Sequence, residues 1–186
     1  MTRAVFLDRD GVINEDTGYP HKLEDLVILP GVYEALQKLQ KLGFQLFIIS
    51  NQSGIGRGYY SFEDFERFNN EIIDRLGEFG INIEETYICP HHPDDKCECR
   101  KPAIGNLKKA ESDYDISLPD SYVIGDKQSD IDLGKKAGCY TVHITSNRKD
   151  HEPKGADYIA ENILNAANWI EYAEKQKNNP HHADSF

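Results

Sequence analysis

The sequence predicts a doubly wound, Rossmann-like α/β domain: a parallel sheet with helices over both faces. Two observations carry that expectation. Short apolar runs rich in β-branched and aromatic residues recur along the chain, and the segments between them place apolar residues at helical spacing. Strands that alternate with helices imply right-handed crossovers and a sheet covered on both sides.

The elements follow in order. Ala4 to Asp8 (AVFLD) is an apolar run without helical period and reads as a buried strand ending in an acidic residue. Gly31 to Leu42 sets Val32, Leu36, Leu39 and Leu42 on one helical stripe and stops at Gly43. Phe44 to Ser50 (FQLFIIS) is the second buried strand. The next helix opens at Ser61, a natural N-cap with Asp64 three residues on, and lays Phe62, Phe65, Ile72, Leu76 and Phe79 on an apolar side. Thr86 to Cys89 is a third strand. Helices are expected over 103–114 and 129–138, strands over 121–126 and 140–144, and a last helix over 162–176. Residues 1–175 are expected to form one domain, 146–155 a polar loop, and 176–186 a solvated tail.

The chain has 186 residues, 39% hydrophobic and 28% charged, with a formal net charge of −11. That length supports a single core, and no apolar run approaches the about 18 residues needed to span a bilayer. No membrane association is expected. The N-terminal MTRAVFLDRDG meets charge too early for the apolar core of a signal peptide, so a cytoplasmic protein with reduced thiols is expected. The negative charge disfavours nucleic acid as a partner, because that affinity rests on Lys and Arg neutralising phosphates. Nothing suggests an extensive apolar interface, so a monomer is expected.

In open α/β sheets, ligands bind beyond the carboxyl ends of the strands. Here those ends form a set: Asp8-Arg9-Asp10-Gly11, Ser50-Asn51-Gln52-Ser53-Gly54, and Asp126-Lys127 with Asp130 beyond. Arg100-Lys101-Pro102 lies between the second and third. Two carboxylates at spacing two, with a third from another strand, make an oxygen-rich site suited to magnesium. A hydroxyl, backbone amides and a lysine complete a phosphate cradle.

A second cluster lies in CPHHPDDKCECRKP, Cys89 to Pro102, which holds three of the four cysteines. Cys89, His91, Cys97 and Cys99 form Cys-x-His, five residues, then Cys-x-Cys, with His92 as an alternative to His91. Four such ligands describe a closed structural zinc site. A polar loop of this length cannot hold a shape by apolar burial, so Zn2+ would supply the stability its composition lacks. Cys139 reads as a buried core cysteine.

The pattern DRDGV (Asp8 to Val12), Ser50-Asn51, Lys101 and GDKQSD (Gly125 to Asp130) resembles the four motifs of the haloacid dehalogenase superfamily of phosphotransferases. The resemblance assigns Asp8 as the nucleophile that forms an aspartyl-phosphate and Asp10 as the general acid and base. It gives Mg2+ to Asp8, the Asp10 backbone carbonyl and Asp126, and sets Lys101 beside them, with Ser50 holding phosphoryl oxygens. Asp130 either orients the metal's surroundings or caps the following helix. The zinc loop narrows the resemblance to the D-glycero-D-manno-heptose 1,7-bisphosphate 7-phosphatases and the related histidinol-phosphatases, and GYPH, NQSGIGRGYYSFEDF and VIGDK look more like the heptose branch. That branch serves synthesis of activated heptose for lipopolysaccharide core or surface-layer glycan. It implies a small sugar phosphate as substrate, with Asp16, Thr17, Gly18, Tyr19, Asn51, Gln52 and Ser53 as contacts and Arg100 and Lys127 at the distal 1-phosphate or the sugar hydroxyls. One departure stands out: the five-residue gap between His91 and Cys97 is short, as in the histidinol-phosphatases.

No large insertion separates the motifs, so no separate cap domain is expected. The flap Gly11–Leu29, the segment Gly54–Tyr60 and the zinc loop should form the rim. A zinc-organised interaction module or a phosphotransfer receiver shares parts of this pattern. The intact Asp8, Asp10, Lys101 and Asp126 argue against the first, and Asp10, which would hasten loss of the phosphoryl group, argues against the second.

Overall fold

Six parallel strands form one sheet in the order β3-β2-β1-β4-β5-β6. They are β1 (Ala4–Leu7), β2 (Gln45–Asn51), β3 (Ile83–Cys89), β4 (Tyr122–Gly125), β5 (Tyr140–Ile144) and β6 (Tyr158–Ala160). The helices are α1 (Val32–Lys41), the single turn α2 (Ser53–Gly56), α3 (Phe62–Gly77), α4 (Gly105–Tyr114), α5 (Gln128–Ala137) and α6 (Ile163–Lys177). This computed structural model describes residues 1–145 and 154–177; most of the expected polar loop and of the expected C-terminal tail lies outside the described residues.

Alternation along the central strands builds a core on each face. Val5, Leu7, Leu46 and Ile48 point to the side covered by α1, α3 and α6. Ala4, Phe6, Phe47 and Ile49 point to the side covered by α4 and α5. Strands buried on both faces are therefore continuously apolar, as a parallel sheet requires. Cys139 is buried among this second set, as expected.

The expected helices and central strands are present. Ser61 caps α3 reciprocally: the Asp64 amide donates to its Oγ at 3.1 Å, and the Ser61 amide donates to the Asp64 carboxylate at 3.0 Å. Gly43 takes φ 84 just past α1. The apolar side of α3 differs from expectation at its ends. Phe62 and Phe79 are about half exposed, and Phe68 and Asn69 join Phe65, Ile72 and Leu76 inside. Phe62 sits in the first turn, against Phe65, and Phe79 lies beyond the last, where it packs on Tyr33. Strand β6 was not anticipated, because three residues at the sheet edge, paired only to β5, are too few to show a pattern. Among the described residues no helix is long and apolar enough to cross a membrane.

At the amino ends of the strands, buried Glu174 of α6 accepts from Tyr122 at 2.6 Å and Lys177 at 2.8 Å and pairs with Arg3. Burial raises its pKa, but these hydrogen bonds and cations outweigh burial and hold it below the usual carboxylate value. A depressed folded pKa contributes stability that is present above the unfolded value and lost as pH falls through the folded one. Glu174→Gln should therefore lower stability at pH 7 by about 1–3 kcal/mol and flatten the acid limb of a plot of urea midpoint against pH.

Candidate active site

The strand order reverses at β1: the chain runs to β2 and β3 on one side, then crosses to β4 on the other. A crevice at the carboxyl ends of strands adjoining such a switch is where ligands bind. Asp8 leaves β1 there with its amide donating to Ile124 O of β4 at 2.9 Å. Its Oδ1 accepts from Lys101 Nζ at 2.9 Å and from the Arg9 amide at 2.8 Å. Lys101 Nζ also bonds Asp130 Oδ1 at 2.6 Å and the Ile49 carbonyl at 2.9 Å. Asp8, Lys101 and Asp130 are all almost wholly buried. Asp130 also accepts the Lys127 amide at 3.0 Å, so it caps α5 and pairs with Lys101 at once.

Burial alone would raise the Asp8 pKa, but Lys101, Lys127 and the Arg9 amide reverse that and hold it below the ordinary range, so Asp8 is ionised at neutral pH. Burial would likewise lower Lys101, and the charges of Asp130 and Asp8 raise it instead. Asp130 is raised, by burial first and by Asp8, despite Lys101. Lys127, raised by Asp8, Asp126 and Asp16 against its burial, lies 3.9 Å from Asp8 Oδ2, 3.7 Å from Asp126 Oδ1 and 3.3 Å from Asp16 Oδ2.

Asp8, Asp126 and Asp130 offer carboxylate oxygens that all lie within 4.8 Å of one another. Three carboxylates against the two ammonium groups of Lys101 and Lys127 leave an excess of negative charge, and such an oxygen set suits a hard divalent cation. Gly11 makes this packing possible. It takes φ 92, and a Cβ there would stand 2.5 Å from Asp126 Oδ2.

Asp10 is held by four N–H donors. Its Oδ1 accepts from Arg9 Nε at 2.8 Å and Asn14 Nδ2 at 3.0 Å. Its Oδ2 accepts from Arg9 Nη2 at 3.1 Å and Gln52 Nε2 at 3.0 Å. Ser50, at the end of β2, accepts the other Gln52 N–H at 2.8 Å. Around these groups opens a cleft of about 370 Å³, lined among others by Asp16, Gly18, Tyr19, Ser53, Tyr60, Arg100 and Lys127. Thr17 is exposed and does not line it. Asn51 clasps the Lys101 backbone from both sides, accepting its amide at 3.0 Å and donating to its carbonyl at 3.3 Å. Arg100 Nη1 is buried with no hydrogen-bond partner among the described residues.

Cys89, His91, Cys97 and Cys99 also converge, each offering a ligand atom within 4.8 Å of the others. Cys89 Sγ lies 3.7 Å from Cys97 Sγ and 3.6 Å from His91 Nδ1, and His91 Nδ1 lies 3.2 Å from Cys99 Sγ. Metal–sulfur bonds of about 2.3 Å in a tetrahedron give sulfur separations of roughly 3.8 Å, so the set fits a four-coordinate metal. His92, the alternative, instead accepts the Asp94 amide.

A family model described as HAD-hydrolase-like matches residues 98–166. A probable D-glycero-D-manno-heptose-1,7-bisphosphate 7-phosphatase from Thermoplasma acidophilum is 47% identical over 130 residues, 70% of this chain and 81% of that one. A D-glycero-alpha-D-manno-heptose-1,7-bisphosphate 7-phosphatase from Photorhabdus laumondii is 37% identical over 182 residues, 91% and 97% of the two chains. The chain belongs to the D-glycero-D-manno-heptose 1,7-bisphosphate 7-phosphatase family of the haloacid dehalogenase superfamily. A crystal structure of D,D-heptose 1,7-bisphosphate phosphatase from B. bronchiseptica, complexed with magnesium and phosphate, superposes with a TM-score of 0.82 at 26% identity, over 92% of this chain and 99% of that one.

Within this family frame, sequence reasoning passed over Arg9, Asn14, His21 and Tyr60. Arg9 alone carried a signal, as a cation between two aspartates; it is fully buried, with its guanidinium 4.9 Å from the Phe68 ring centroid.

Removing Lys101 would leave Asp8 and Asp130 as neighbouring buried carboxylates. Lys101→Met should cost about 3–5 kcal/mol at pH 7. The two carboxylates would then titrate above their unfolded values, so the variant should gain stability as pH falls from 7 to 5, and adding Asp130→Asn should restore part of the loss. Urea unfolding at both pH values checks this.

Proposed function

We propose that the protein removes the 7-phosphate of D-glycero-D-manno-heptose 1,7-bisphosphate, giving heptose 1-phosphate and inorganic phosphate. The observation that carries this reading is Asp8, buried and ionised beside Lys101 at the sheet's switch point, in a chain whose relatives are named for that reaction. The Asp8 carboxylate attacks phosphorus, an oxygen–phosphorus bond forms, and the bond to the sugar oxygen breaks as Asp10 delivers a proton to that oxygen. Asp10 then takes a proton from water, which attacks the aspartyl-phosphate and releases phosphate with Asp8 restored. Lys101 and the Ser50 hydroxyl hold the transferring phosphoryl oxygens. Mg2+, when held by Asp8, Asp126 and the Asp10 carbonyl, neutralises charge between nucleophile and phosphate.

The rim reads the sugar. Asp16, Gly18, Tyr19 and Ser53 border the cleft. Arg100, whose Nη1 lacks a partner among the described residues, and Lys127 suit the anionic distal phosphate. Zn2+ bound by Cys89, His91, Cys97 and Cys99 fixes the loop that leads into Arg100 and Lys101. We read the protein as a single-domain cytoplasmic monomer, where thiols stay reduced.

With magnesium, phosphate release from heptose 1,7-bisphosphate should exceed that from histidinol phosphate by at least about 100-fold in kcat/KM, a margin of about 2.7 kcal/mol. The reverse preference would move the protein to the histidinol branch. Asp8→Asn should abolish release while the circular dichroism spectrum is kept. For the cysteine loop, elemental analysis should find one zinc per chain in the wild type and a large loss in Cys97→Ser; unchanged zinc would overturn the ligand set.

A further inference from the structure

We propose that Gln52 is a positioning residue of the reaction, one that aims both Asp10 and the Ser50 hydroxyl, with its own amide held in one sense by Tyr60 and Arg9. The inference rests on the phosphatase reading above and changes the place of Gln52 within it, from a contact of the substrate to a part of the cleft wall that aims the reacting groups.

Gln52 is only 2% exposed, and every hydrogen-bonding position of its amide is used inside the protein. An amide nitrogen offers two hydrogens and an amide oxygen two lone pairs. The nitrogen donates to Asp10 Oδ2 at 3.0 Å and to Ser50 Oγ at 2.8 Å. The oxygen accepts from Tyr60 OH at 2.7 Å and from Arg9 Nη2 at 3.2 Å. The reversed amide would turn its oxygen toward the Asp10 carboxylate and its nitrogen toward a guanidinium, so only one sense satisfies all four partners.

Two consequences follow for the chemistry. Because Ser50 Oγ accepts the Gln52 N–H, the Ser50 proton is directed elsewhere, where it can donate to a phosphoryl oxygen. Because Gln52 supplies one of the four donors on Asp10, it fixes the plane of the carboxylate that must exchange a proton with the leaving oxygen. A single side chain thereby sets the angle between acid and phosphate donor, and small errors there reduce turnover more than binding.

Tyr60 is suited to lock this arrangement. Burial, reinforced by Asp10 and opposed by Arg9, pushes its hydroxyl up to about 12, so it remains a donor through the neutral range. Its ring lies against Gly54, where a Cβ would fall 2.1 Å from Cε1, and stacks on His21 of the flap with ring centroids 4.8 Å apart. The segment Gly54–Tyr60 therefore reaches the reacting groups through one hydroxyl.

The test compares kcat and KM for wild type, Tyr60→Phe and Gln52→Leu, with magnesium, on heptose 1,7-bisphosphate and on p-nitrophenyl phosphate. Thermal melting of each protein runs in parallel. Tyr60→Phe should lower kcat about 5- to 10-fold and Gln52→Leu about 100-fold, the scale of losing one aimed donor. The loss should be equal on both esters, with KM within about 2-fold. A rise in KM confined to the heptose ester, with kcat kept, would overturn the inference in favour of a direct substrate contact. Unchanged kcat with only a lower melting point would overturn it in favour of a structural role. If Gln52→Leu does not fold, Tyr60→Phe decides by the same criteria. Wild-type protein inert on both esters would overturn the phosphatase reading itself, and this inference with it.

Discussion

The contact on which most of the site depends is the buried ammonium of Lys101, held between Asp8, Asp130 and the Ile49 carbonyl. Each partner comes from a different part of the sheet: the end of β1, the first turn of α5 after β4, and β2 itself. A buried ammonium is tolerated only when fully paired, so the three segments must meet at one point. The order β3-β2-β1-β4 makes that meeting possible, because it sets β2 and β4 on either side of β1.

Lys101 reaches this point from a segment with little apolar content of its own. Two devices bring it in. Asn51 clasps its backbone amide and carbonyl, and the cysteine cluster begins on Cys89, the last residue of β3, which pairs with Asn51 across the sheet. The loop also packs backbone to backbone at its borders: a Cβ at Gly56 would stand 2.4 Å from the His92 amide nitrogen, and one at Gly105 2.4 Å from the Glu98 carbonyl. Close backbone packing at these two glycines holds the borders of a loop that has no hydrophobic core, around four side chains whose ligand atoms all lie within 4.8 Å of one another.

Much of this was legible in the sequence because the relevant signals are local. A strand end with DRDG, a Ser61 cap answered by Asp64, and Cys-x-His before Cys-x-Cys each lie within a few residues and have one dominant physical reading. What stayed hidden was long-range and polar. That Arg9 is wholly buried, that Asn51 and Gln52 face inward to Lys101 and Asp10, and that Asp130 both caps α5 and pairs with Lys101 depend on residues tens of positions apart in the chain. No periodicity says which polar group will meet which. The apolar side of α3 was misread at Phe62 and Phe79 for a related reason: they stand at the first residue of the helix and beyond its end, and helical spacing does not say what covers a side chain there.

Among the described residues only the flap and α1 lie between β1 and β2, so no separate domain closes over the cleft from that connection. Loops that cannot close as a rigid body must be tied to the chemistry directly, and the ties are visible. Arg9 donates to the Pro20 carbonyl of the flap at 3.2 Å with the same nitrogen that holds Asp10. Lys127 joins Asp16 of the flap to the edge of the carboxylate cluster, and Tyr60 joins the aromatic rim to Gln52. A ligand that displaced the flap would thus disturb the Asp10 carboxylate through one guanidinium and one amide, while one that fits would find it already held. The seating of the flap and the orientation of the Asp10 carboxylate thus share the same few hydrogen bonds.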